Sequence, residues 1–266
     1  MCRFLAFASL LTTMLLGSCP PAFGQVVQRV VDLPTRPSVT QRVLYLGAAN
    51  AQATVILSPG GHGGLQLTPD GDFGWGKNNF LVRTRKQFAD HGLAVAVVDA
   101  PSDRQREPYL EGFRQRPEHV TDIQAVIAWL KQPTPVPVWL VGTSRGTQSA
   151  AFVATELSGS QGGPDGLVLT STILVDAKSR PVPAMPLEKL TIPVLVVHHE
   201  QDGCKACPYS AIPRLMEKLQ AASRKEVLTF KGGLNRGDPC EAMAYHGFNG
   251  LEDEVVAKIA DWIQAR

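Results

Sequence analysis

The run "VWLVGTSRGTQSAA" (residues 138–151) joins an apolar stretch to Gly142-Thr143-Ser144-Arg145-Gly146 and passes directly into helix-forming sequence. Gly-x-Ser-x-Gly at a strand-to-helix junction is the pattern of a nucleophile elbow. A serine on so tight a turn has strained backbone angles and needs neighbours that are nearly devoid of side chain, which Gly142 and Gly146 supply. The turn would lift the Ser144 hydroxyl above a sheet edge and aim the free amides of a helix N-terminus at developing negative charge. A second stretch, "EQDGCKACP" (200–208), sets an aspartate and two cysteines in loop-like sequence. Those residues suit a redox pair, half of a metal site, or a covalent staple beside a catalytic acid, and the stretch alone does not choose among them.

Elements that could position such groups recur along the chain. Residues 28–34 and 41–47 read as two opening strands. Residues 53–61, 93–101 and 193–199 read as buried strands of a parallel sheet, and 136–142, 166–174 and 225–233 as further strands. Between them lie helical patterns at 78–92, 117–132, 145–157 and 208–222, with a last helix at 251–266. Helix 78–92 sets Phe80, Leu81, Thr84 and Phe88 on one face and ends at Gly92. Pro213 would delay the start of helix 208–222. Strands alternating with helices predict an α/β domain with a mostly parallel sheet covered on both faces.

The N-terminus carries Arg3, an apolar run at 4–17 too short to span a bilayer, and Ala22 and Gly24 at small-x-small positions. This predicts a secretory signal, residues 1–24, cut before Gln25, and one domain over residues 25–266. A lipid anchor on Cys19, within the lipobox-like Leu16-Gly17-Ser18-Cys19, is the alternative. Either places the protein outside a bacterial cytoplasm, periplasmic or secreted. The formal charge of +2, with basic residues scattered, gives no footprint for nucleic acid, and no later segment is apolar enough to cross a membrane.

From the elbow onward the chain resembles the α/β-hydrolase superfamily, over residues 40–266. That resemblance implies the order nucleophile, acid, histidine, with the acid after a late strand and the histidine after the last one. "PVLVVHHEQDG" then gives Asp202, with Asp176 and Glu200 as competitors, and "DPCEAMAYHGFNG" gives His246. His198 and His199, ending a strand, read as structural. His91 and His119 read as solvated or capping. No histidine pair has metal-ligand spacing with a carboxylate, so neither a metal nor a cofactor is implied. The oxyanion donors would be the amides of Arg145 and of Gly61, in "SPGGHGG", with His62 the alternative to Gly61. Residues 65–79 would wall the site, with Phe73 and Trp75 as candidate substrate contacts. Only residues 177–190 stand where many relatives carry a cap, so an open site follows.

The resemblance implies a secreted serine hydrolase that cleaves a small-molecule carboxylic ester through an acyl-enzyme. A peptidase or acyltransferase shares these residues, and a non-catalytic binding domain would have no need of all three. Arg145 either pairs with a carboxylate near the elbow or attracts acidic substrates. An oxidising compartment favours disulfides over a reduced metal half-site. Beyond the signal remain Cys204, Cys207 and Cys240. A triad requires the acid and histidine loops to be neighbours, which favours Cys204–Cys240, with Cys207 the other candidate partner. Left free beside a helix start, the Cys207 thiol would be somewhat acidified.

Overall fold

The computed structural model describes residues 27–132 and 136–265. The expected signal sequence, residues 1–24, and the alternative anchor site Cys19 lie outside the described residues. The opening strands β1 (Val27–Arg36) and β2 (Val39–Gly47) form a hairpin. Strands β3 (Ala53–Ser58), β4 (Leu93–Val98), β5 (Val138–Thr143), β6 (Gly166–Thr170), β7 (Val194–His199) and β8 (Lys225–Phe230) complete one eight-stranded sheet in the order β1-β2-β4-β3-β5-β6-β7-β8. Strand β2 pairs antiparallel with both β1 and β4, and every pair from β4 to β8 is parallel.

All residues of β3 through β7 are buried, which is why these strands carry unbroken apolar runs rather than alternation. One sheet face packs against α3 (Pro117–Lys131), α4 (Arg145–Glu156) and α5 (Ile212–Lys218). The other meets α1 (Phe80–Arg83), α2 (Arg85–Asp90) and α6 (Glu252–Gln264). Ala150, Ala151 and Ala154 let α4 lie close on the central strands. Pro117 begins α3, where its missing N–H costs nothing.

Two helices are shorter than their patterns. Residues 78–92 divide into α1 and α2 at Thr84, whose hydroxyl donates to the Phe80 carbonyl at 2.7 Å. The Thr84 amide donates to the same carbonyl at 3.1 Å, and a threonine back-bond of this kind bends a helix. Residues 209–211 form a 3-10 turn before α5, whose first turn contains Pro213. Residues 177–190 hold only two 3-10 turns, and the described residues contain no cap domain. No described helix is long and apolar enough to cross a membrane.

Candidate active site

Parallel strands deliver their carboxyl ends to one edge of the sheet, where loops of unrelated sequence position meet. Ser144 follows β5 with φ 51° and ψ −126°, a region that a residue with a side chain occupies only at a cost of about 1–3 kcal/mol. The surroundings impose it. A Cβ on Gly142 would strike the backbone of Gly146 and Thr147, and one on Gly146 would run into the Ser58 carbonyl. The elbow is therefore wedged between the end of β3 and the start of α4.

Asp202 lies in the loop after β7 with its side chain fully buried. One carboxylate oxygen accepts from the Cys204 amide at 2.9 Å and the other is 2.8 Å from His246 Nδ1. That contact fixes the ring so that Nε2 is the remaining nitrogen, and Nε2 is buried without a partner among the described residues. Three further contacts hold the histidine loop. The Ser171 hydroxyl donates to the His246 carbonyl at 2.6 Å, Arg83 donates to the Gly247 carbonyl at 2.5 Å, and His199 stacks on Tyr245 at 4.4 Å. His198 is buried with Nε2 2.9 Å from the Cys207 carbonyl and 3.7 Å from Asp202. Burial holds it below the usual histidine range.

The competing acids sit elsewhere. Asp176 accepts from Arg145 at 2.9 Å and from Ser179 at 2.6 Å. Burial would raise its pKa, but these bonds and the Lys178 amide outweigh that and hold it at about 2. Glu200 meets Lys231 at the surface. Ser144, Arg145, Gly61, Trp75 and His246 line one cavity of about 570 Å³. The amides of Gly61 and Arg145 have no acceptor among the described residues, as free oxyanion donors require. Gly61 has φ +59°, and a Cβ there would collide with the Trp75 ring.

His62 is clasped between Trp75 and Tyr109, with ring centroids 3.8 and 4.3 Å away. It faces a neighbouring cavity rather than the Ser144 one. Burial first, then the charge of Arg114, lowers its pKa. Phe73 is no substrate contact: it is buried in the core beneath the Arg85 guanidinium. The loop carrying it is pinned by Asp99, which accepts from the Leu65 and Leu67 amides at 2.6 and 2.9 Å and so turns Phe73 inward. His119 is neither solvated nor capping but 2% exposed.

A disulfide joins Cys204 to Cys240, tying the loop of Asp202 to that of His246. Cys207 is a free thiol, fully buried, donating to the Ser171 carbonyl at 3.3 Å. Burial pushes it well above the ordinary thiol range, which corrects the expectation of an acidified thiol. Cys204, Cys207 and His246 bring potential ligand atoms within 4.8 Å of one another, but the Cys204 sulfur is bonded to Cys240 and is no thiolate. That donor set does not fit a metal.

Arg114 carries no sequence signal. It lies in the polar segment between β4 and α3, yet is 5% exposed and donates to the carbonyls of Pro59 and Gly61 and to the Ser149 hydroxyl. Only the fold brings it beneath the loop of Pro59 and Gly61.

No family model and no curated protein matches the chain. Solved structures do. A dienelactone hydrolase from Anabaena variabilis superposes with a TM-score of 0.60 at 14% identity, over 90% of this chain and 97% of that one. An esterase from Pyrococcus furiosus gives a TM-score of 0.64 at 12% identity, over 95% and 96%. A serine hydrolase without a lid from Xanthomonas campestris gives 0.56 at 15% identity, over 90% and 96%. The chain has the α/β-hydrolase fold.

Proposed function

We propose that this chain is a serine hydrolase that cleaves small carboxylic esters through an acyl-enzyme on Ser144. The observation that carries the reading is the buried His246 ring. Its Nδ1 is held by Asp202, its Nε2 has no partner among the described residues, and it shares a cavity with a serine in a strained elbow. The fold shared with hydrolases and esterases supports the same class.

In this mechanism His246 Nε2 takes the Ser144 proton as the hydroxyl oxygen attacks the ester carbonyl. Asp202 keeps the ring in the tautomer that leaves Nε2 basic, and stabilises the imidazolium that forms. The amides of Gly61 and Arg145 receive the oxyanion, and one such donor contributes about 3–4 kcal/mol to the transition state. His246 returns the proton to the departing alcohol, and water activated by the same ring then releases the acid. The Cys204–Cys240 bridge fits export to an oxidising compartment, as the N-terminal sequence expects.

A fluorophosphonate probe on the purified protein tests the reading. Covalent labelling at Ser144, with hydrolysis of p-nitrophenyl esters lost in the labelled protein, is the expected result. An unlabelled, inert wild type would end it.

A further inference from the structure

A second cavity, of about 620 Å³, adjoins the first, and both include Gly61 and Arg145 in their walls. Four charged residues line it. Lys178 and Glu111 are exposed and opposite in sign, and Arg145 is neutralised by Asp176. That leaves Arg114, whose burial and whose neighbour Arg145 push its pKa down to about 9, still charged at neutral pH. No carboxylate pairs with it among the described residues. A guanidinium has five N–H donors. Its bonds to Ser149, Pro59 and Gly61 use three, leaving two. A buried charge without a counter-ion is costly, and its setting beside a roomy cavity suits an anion supplied from outside.

The proton returned to the departing alcohol comes from His246, so the alcohol must lie on the histidine side. His246 lines the first cavity and not the second. The second cavity, across the oxyanion wall from the histidine, therefore takes the acid part of the ester. We propose that it is a subsite for substrates whose acyl group ends in a free carboxylate, bound by Arg114, such as monoesters of aliphatic dicarboxylic acids. This rests on the ester-hydrolase reading of Ser144.

The test compares mono-p-nitrophenyl adipate with p-nitrophenyl hexanoate, matched in chain length and differing in the terminal carboxylate. Wild type should favour the adipate ester in kcat/KM by about tenfold or more, the scale of a charge-assisted hydrogen bond. Arg114→Gln should remove most of that ratio, whatever it does to the absolute rates through the oxyanion loop. Lys178→Glu, an exposed change that leaves the core intact, should lower the ratio severalfold by adding like charge at the mouth. A wild-type ratio near one, or ratios unmoved in both variants, would overturn the subsite. Binding of free adipate separates this from the mechanism. Millimolar adipate should raise the Tm of wild type and of Ser144→Ala but not of Arg114→Gln. A shift without ester turnover would uphold the anion site and refute the hydrolase, whereas turnover of the hexanoate ester with no adipate shift would do the reverse.

Discussion

The guanidinium of Arg145, one residue past the elbow serine, lies 2.9 Å from the carboxylate of Asp176 in the loop after β6. The pair bolts the start of α4 to the neighbouring loop, and Asp176 is the more buried partner, its side chain 5% exposed. Arg145→Met should therefore destabilise the protein by about 1 kcal/mol, the scale of one lost bond to a charged group discounted for the exposed guanidinium. Acid should erase the contribution of Asp176. Its folded pKa of about 2 lies below the ordinary 3.8, so its stabilisation is complete above about pH 4 and is lost as pH falls toward 2. Urea unfolding of wild type and Asp176→Asn should diverge at pH 6 and converge near pH 2.

Asp176 also gives the sharpest check on the proposed triad. Ser144→Ala and His246→Ala should each lower kcat on a p-nitrophenyl ester by about 10⁴–10⁶, and Asp202→Asn by less, as in triads that act as a unit. Asp176→Asn should keep kcat within about fivefold, since the carboxylate touches Arg145 and not the histidine. A crippled Asp176→Asn beside a mild Asp202→Asn would move the acid role to Asp176.

The sheet was legible because five consecutive strands are buried on both faces and so had to be written as apolar runs. Ser144 was legible because the elbow forces glycine at 142 and 146, a local constraint that sequence records directly. Asp202 and His246 carry no such local mark, and their nomination rests on element order. What sequence could not show arises from contacts between distant segments. Phe73 turns inward because Asp99, on another loop, holds the backbone around it. Arg114 reaches the loop of Pro59 and Gly61 from a segment with no periodic pattern. The helix divides at Thr84, where a side-chain bond to the Phe80 carbonyl is a feature that the apolar pattern ignores. The burial that raises the Cys207 thiol is likewise a property of the assembled site.

The cysteine arrangement makes its own prediction. Non-reducing peptide mapping should recover Cys204 bonded to Cys240. Within residues 27–265 one thiol, Cys207, should react with a thiol reagent only after denaturation, because it is buried and held above the ordinary thiol range. Paired Cys204→Ser and Cys240→Ser substitutions should cost about 4 kcal/mol in the chain-entropy estimate for a loop of this length. They should also lower kcat, since the bridge ties the loop of Asp202 to that of His246. A Cys204–Cys207 peptide would contradict this arrangement.

His119 supplies a test of the core by pH. Its ring is buried near Phe113, with neither nitrogen hydrogen-bonded among the described residues. Burial first, then the charges of Arg114 and Arg36, lowers its pKa to about 3. The unfolded chain binds this proton near pH 6.5 and the folded protein does not until about pH 3. Between those values the unfolded state carries the extra proton, so stability falls on acidification, with a slope approaching about 1.4 kcal/mol per pH unit from this one group. His119→Leu, close in volume and without a titrating ring, removes that term. Urea unfolding at pH 7.5, 6, 5 and 4 should show a stability difference between the two proteins that is constant above about pH 7. Below it, the difference should shift steadily in favour of the variant. Parallel curves throughout would mean that the imidazole charges freely inside the folded protein, and that the cluster of Arg114, Arg36 and His119 is more hydrated than its burial implies.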